Sequence, residues 1–165
     1  MSVWSIEVDD TSFQLALTQL EMRLNDSALG IFLQGAVDPW LRLRAEKRFA
    51  GEGDDAVGAW SPLKYPTQNI RGSMGYGPSH PINKRTGILE RYITNSAGNV
   101  GAAPGGVQLT FPGAQPTGNI YEKVLTAQAG RPSPKTVPRP VLGLSMTDSL
   151  FVQTSLVQYI ETGTF

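Results

Sequence analysis

Hydrophobic positions recur with a helical period near the start of the chain. Phe13, Leu17, Leu20 and Leu24 fall at i, i+4, i+7 and i+11, one face of a 3.6-residue repeat. They predict a helix capped by Asp10 or Thr11, preceded by an extended stretch in which Val3, Ile6 and Val8 alternate with polar residues. Ser27 is placed to cap a short apolar turn through Leu29, Ile31, Phe32 and Leu33, which Gly30 and Gly35 interrupt. Asp38-Pro39 is a strong start signal, the acid as cap and the proline at the first helical position. The helix it opens runs from Trp40 to Phe49, gathers Arg42, Arg44, Lys47 and Arg48 towards its C-terminus, and ends at Gly51 and Gly53.

The pattern then breaks. Between residues 52 and 86, glycines and prolines interrupt every candidate period, which predicts a long irregular loop of the kind that is functional or ordered by a partner. Ile88 to Thr94 fits a strand or a helical turn. Ala97 to Gly106 reads as a turn or mobile loop, and Val107 to Phe111 alternates as a strand. Tyr121 to Ala129 fits a short helix or strand. Ser145 with Asp148 marks the start of a last helix. Its apolar face is expected to carry Met146, Leu150, Val157 and Ile160, broadened by Val152, Leu156 and Tyr159. Helices at both ends with strands between predict an α+β fold: N-terminal helices, a small antiparallel sheet, a C-terminal helix, and long loops at about 52–86 and 97–119. At 165 residues the chain has the length of one domain.

Composition sharpens this picture in two places. Charged residues make up only 17% of the chain, below the usual quarter, so the chain is expected either to keep a small exposed surface or to cover part of it with partners. Net charge is zero but uneven. Residues 1–56 hold ten acids and five bases, and residues 57–165 hold four acids and nine bases. That asymmetry fits either ordinary solvated faces or complementarity between neighbouring copies. It does not give the overall basic footprint of a nucleic-acid-binding domain. Cysteine is absent, which excludes disulfides and thiolate metal sites. No apolar run approaches the roughly 20 residues of a membrane span, and Met1 to Asp10 lacks the basic region of a secretory signal. A soluble chain made in the cytoplasm, without membrane contact, is expected.

Catalytic chemistry finds little to stand on. His80 is a lone histidine between Ser79 and Pro81, too little for a zinc site. Gly72-Ser73-Met74-Gly75-Tyr76-Gly77 resembles a glycine-rich loop but lacks the following Lys-Ser/Thr and a preceding strand, so it reads as a flexible loop. No enzyme activity, metal or cofactor is expected. Lys84, Arg85, Arg131 and Lys135 are the candidate DNA-facing bases, suited to weak, non-specific phosphate contact. A non-specific nucleic-acid-binding module is therefore the alternative function.

Several segments, in order, resemble the phage virion-morphogenesis family, the tail-completion proteins of Mu-like and related tailed phages. They are Lys47-Arg48-Phe49, the acidic Glu52-Gly53-Asp54-Asp55, Trp60-Ser61-Pro62-Leu63, Thr67, and Arg85-Thr86-Gly87-Ile88-Leu89. Tyr121, Gln128-Ala129-Gly130 and the run Val137-Pro138-Arg139-Pro140-Val141-Leu142-Gly143-Leu144-Ser145 follow. The resemblance covers about residues 38–160. Ala127 stands where the family pattern has His, and the 97–119 loop is longer than the family's. The resemblance implies a virion protein of the head–tail neck, assembled in the host cytoplasm. It implies self-association into a ring, six-fold to match the tail tube or alternatively twelve-fold, against a tail terminator, tail tube, head-closure or adaptor protein. The candidate subunit-interface residues are Trp60, Leu63, Tyr65, Tyr76, Arg85 and Arg139. The apolar anchors of the 52–86 loop, Met74 among them, are expected on the surface of a free copy. For Trp60, Arg85 and Arg139, a role in holding the monomer together is equally open. Pro138 and Pro140 hold Arg139 extended and ready to pair with a carboxylate.

Overall fold

The computed structural model describes residues 10–77, 81–84, 86–104, 106–110, 118–130 and 137–165. The predicted extended stretch from Val3 to Val8 lies outside the described residues, as do His80, Arg85, Phe111, Arg131 and Lys135 and the side chains of Phe13 and Tyr121.

The chain is α+β. Helix α1 spans Asp10–Leu24, α2 spans Asp26–Phe32, and α3 spans Asp38–Gly51. A short hairpin follows, β1 (Gly53–Asp54) with β2 (Gly58–Ala59), then α4 (Tyr65–Ser73) and α5 (Ile88–Asn95). A second antiparallel hairpin joins β3 (Asn99–Ala103) to β4 (Gly106–Thr110), before α6 (Gly118–Ala129) and α7 (Met146–Thr162). The described strands thus form two small sheets where one was expected.

Asn25, not Ser27, caps α2, its side chain accepting from the Ala28 N–H at 2.9 Å. Asp38 does not cap α3 either. Residues Leu33–Val37 form a π-turn, and the Asp38 N–H reaches back to the Leu33 carbonyl, so α2 and α3 are one continuous helical run. The widened turn explains how Pro39 is tolerated there. A proline inside an α-helix loses a hydrogen bond and clashes with the preceding turn, and a π-turn relaxes both constraints. Asp38 is instead buried. It accepts from the Gly98 N–H at 2.8 Å and pairs with Arg42 at 3.1 Å, tying α3 to the entry of the β3–β4 hairpin.

The core has two parts, both resting on α3. One gathers Ala45, Phe49, Trp60, Ile82, Leu89, Ile93, Ala127 and Val141. The other gathers Phe32, Val37 and Tyr159, with Leu41, Leu109, Val152 and Leu156 packed on it. Trp40 of α3 stacks on Phe151 of α7 at 4.1 Å between centroids, and Phe32 stacks on Tyr159 at 5.5 Å.

Four expectations need correction. The 52–86 segment is not an irregular arm: it contains β1, β2 and α4, and it places Trp60 and Ile82 in the core. Its anchors are spaced by turns, not by a helix or strand period, which is why no period is visible. Within Ala97 to Gly106, Asn99–Ala103 form strand β3, where pairing with β4 overrides the weak strand preference of Gly101, Ala102 and Ala103. The last helix buries Tyr159, packs the half-buried Val152 and Leu156 beside it and leaves Met146, Leu150 and Val157 exposed, because only one of its two apolar stripes meets the core. Finally, Leu17, Leu20 and Leu24 of α1 are exposed rather than buried.

Candidate functional site

The segment Val137–Ser145 crosses the molecule as an extended strap that joins no strand. Pro138 and Pro140 lack N–H groups and cannot donate to a ladder. The strap's remaining polar groups must be satisfied by other means, and bonds from α3, α6 and Trp60 do it. Arg48 of α3 donates through Nη1 to the Val141 carbonyl at 2.8 Å and through Nη2 to the Gly143 carbonyl at 3.1 Å. Gln128 of α6 accepts on Oε1 from the N–H groups of Val141 and Leu142, both at 3.2 Å, and its Nε2 donates to the Leu142 carbonyl at 2.9 Å. Trp60 Nε1 donates to the Pro140 carbonyl at 2.8 Å. The Arg139 N–H donates to the Ala127 carbonyl at 2.7 Å.

Trp60 is only 6% exposed and packs edge-on against Phe49. Its expected place as an exposed anchor is therefore corrected, because an indole already packed in the core has no face left for a partner. Arg139 is also turned inward. Its Nε donates to the Ser61 carbonyl at 2.7 Å and its Nη2 to the Pro62 carbonyl at 3.1 Å. It meets backbone oxygens where a carboxylate was expected. Burial, with the charge of nearby Arg71, lowers its pKa below the ordinary guanidinium value, and Glu52 partly offsets this. Leu63 packs at the edge of the same core.

An ion cluster lies beside the strap. Arg48 Nη2 also pairs with Asp54 at 2.8 Å, and Arg44 bridges Asp55, Asp54 (3.4 Å) and Asp148 (2.8 Å from Nε). The bridge to Asp148 is an electrostatic contact and not an aligned hydrogen bond. Asp54 also closes the β1–β2 turn, accepting on Oδ1 from the N–H groups of Ala56 and Val57. Asp148 is fully buried and completes a capping box on α7. Its Oδ2 accepts from the Ser145 N–H at 2.8 Å, while the Ser145 hydroxyl accepts from the Asp148 N–H. Trp40 Nε1 donates to its other oxygen at 2.9 Å. Burial works against ionising this carboxyl. The bonds from Ser145 and Trp40 and the charge of Arg44 outweigh it and hold the pKa below the ordinary carboxylate value. The bond from Arg44 likewise lowers Asp55, and the same bond raises Arg44.

Glu52 is the hinge between α3 and the hairpin. It takes a left-handed conformation, φ 53°, unfavourable for a residue with a side chain. Two bonds offset the cost: its carbonyl accepts from the Trp60 N–H at 2.7 Å, and its carboxylate accepts from the Ile82 N–H at 2.7 Å.

The other candidate residues lie elsewhere. Tyr65 is 73% exposed at the start of α4, with Ile70 and Met74 exposed on the same helix or just past its end. Tyr76 is half-buried, and its N–H donates to the Arg71 carbonyl. Lys84 pairs with Glu90 at 2.6 Å. Gly87, φ 65°, makes the turn expected of Thr86-Gly87 and opens α5. The structure thus brings Trp60, Leu63 and Arg139 together, and keeps Tyr65 apart from them on the surface. Sequence reasoning missed Gln128 as the strap's acceptor and Arg48 as its donor. The available signal was the Pro-x-Pro spacing itself, since an extended run that cannot join a sheet calls for long side chains to satisfy it.

No helix is long and apolar enough to cross a membrane, and no group of three or more acidic or histidine side chains is placed to hold a metal ion, both among the described residues. The chain matches no family model, no curated protein and no solved structure.

Proposed function

We propose that this chain is a structural component of a tailed-bacteriophage neck, completing the tail and joining it to the head as a ring of copies. The observation that supports the reading is the strap. The segments that carry the resemblance are scattered along about 120 residues, yet Arg48, Trp60 and Gln128 each bond directly to the 138–143 run. A motif set that forms one physical unit is a stronger basis for a resemblance than the same tripeptides dispersed over a surface. The unit is built for holding. Its charges and amides are spent on backbone atoms, which suits a protein that positions other proteins.

Surface character supports the same reading. Large apolar side chains stand exposed on α1, α4 and α7 in a chain of low charge. Patches of this kind mark contact sites. In the virion the neighbours are copies of the chain, with a tail terminator, tail tube, head-closure or adaptor protein above and below. The test is genetic. Particles assembled without the chain should accumulate as separate filled heads and finished tails, and adding purified chain should join them. Infectious, fully joined particles assembled without the chain would refute the proposal.

A further inference from the structure

We infer that α1 is an arm hinged at Asn25 and latched by Arg23, whose guanidinium closes the carbonyl end of α7. This holds for the free chain, whether or not it works in a neck.

The latch follows from how α7 ends. The last carbonyls of a helix have no partner inside it. Gly163 takes a left-handed conformation, φ 78°, and its N–H donates to the Tyr159 carbonyl at 2.8 Å. The carbonyls of Ile160 and Glu161 come next, and Arg23 Nη1 donates to them at 2.6 and 2.5 Å. A helix C-terminus carries partial negative charge and favours a cation beside it. Helix α7 has no basic residue in its last turn, where Glu161 adds a further negative charge. The cation it lacks is supplied across space by α1.

The remainder of α1 is bare. Among its described side chains, all but Arg23 are exposed and none is buried. A 15-residue helix without a buried face is marginal in water. Segments of this kind open locally, well below the free energy of global unfolding. The closed position of α1 therefore depends on the end at which Arg23 sits.

Asn25 has the geometry of a hinge. It is extended, φ −69° and ψ 157°, between two helices. Its capping bonds belong to α2: the side chain accepts from the Ala28 N–H at 2.9 Å and the carbonyl accepts from the Leu29 N–H at 3.0 Å. Rotation about the N–Cα bond of Asn25 swings α1 and leaves both of these in place. What is given up at the hinge is the bond from Asn25 Nδ2 to the Met22 carbonyl, 2.5 Å long. Helix α2 thus keeps its cap while α1 moves, as expected of a hinge at an element's end. Opening frees the carbonyl end of α7 and the charge of Arg23 together.

Native-state hydrogen exchange on the full chain is the test, comparing wild type with Arg23→Ala. Exchange of the α1 amides from Gln14 to Leu24 should rise about tenfold in the variant, the loss expected for a charged bond at a helix end. Exchange of the α3 amides should not change. In wild type, α1 exchange should depend less steeply on urea than α3 exchange, because a local opening exposes less surface. Unchanged α1 exchange in Arg23→Ala would overturn the latch. So would a loss of protection shared by α1 and α3, or failure of the variant to fold, since the body does not need the latch of an arm. Equal urea dependence of α1 and α3 in wild type would overturn the arm itself.

Discussion

Arg48 reaches 93 residues along the chain to the carbonyl of Val141, at 2.8 Å, and both residues are buried. This bond joins the middle of the sequence to the approach of the last helix. Removing the guanidinium takes the donor from the carbonyls of Val141 and Gly143 and leaves the Asp54 carboxylate with only Arg44 and the Ala56 and Val57 N–H groups as partners. Arg48→Ala should cost about 3–5 kcal/mol, as breaking one side of a buried pair does. Arg48→Lys keeps the charge but loses the fork and should cost about 1–3 kcal/mol. Urea unfolding of the two variants measures both. Equal midpoints for wild type and Arg48→Ala would remove the strap from the list of stabilising elements.

Trp60 gives a second test of the same unit. Trp60→Phe keeps most of the packing but drops the bond to the Pro140 carbonyl, for about 1–2 kcal/mol, while Trp60→Ala should lose about 3–5 kcal/mol. In hydrogen exchange on the isolated chain, the Trp60 N–H should be protected like those of α3, because it bonds to the Glu52 carbonyl. The amides of α1 should exchange much faster.

Acid should weaken the fold through Asp148. Its carboxyl titrates lower in the folded chain than in the unfolded one. Such a group contributes its full stabilisation above the unfolded-state value, near 4, and loses it as pH falls from there through the folded-state value. The midpoint of urea unfolding should therefore drop on going from pH 6 to pH 3, and Asp148→Asn should flatten the part of that drop due to this group. An identical pH profile in the variant would show that Asp148 is not linked to folding.

A methyl group at Gly98 would strike Leu109 and Asp38. Gly98→Ala should therefore disturb the bond from the Gly98 N–H to Asp38 and loosen the β3–β4 hairpin, by about 1–3 kcal/mol. Thermal unfolding reads the loss.

DNA binding should be weak and fall steeply with salt, through Lys84, Arg85, Arg131 and Lys135 if through any residues. Lys84 is already paired with Glu90, which lowers its availability. Fluorescence anisotropy with duplex DNA is the check. Sequence-selective, submicromolar binding at physiological salt would favour a nucleic-acid-binding module instead.

Helix α3, the capping box at Ser145 and Asp148, and the strand at Val107 were legible because each is written locally, in a cap or a period. Helix α4 was not, since Pro66, Gly72 and its exposed Ile70 give no apolar face to detect. The continuous run through Asp38 was hidden for a different reason: a π-turn leaves no mark in composition, and Asp-Pro imitates a helix start. The strap was half legible. Its prolines announced an extended segment, but its partners on α6, Trp60 and α3 are 12 to 95 residues away and follow no period. The faces of α1 and α7 were misread because each helix carries two apolar stripes, and periodicity alone does not say which one the body covers.

Cryo-electron microscopy of the head–tail joint, in virions carrying the chain, is the decisive measurement for the proposed ring of copies. Six copies, or alternatively twelve, should surround the tail axis. A single copy per neck, or density for the chain only elsewhere in the particle, would contradict it.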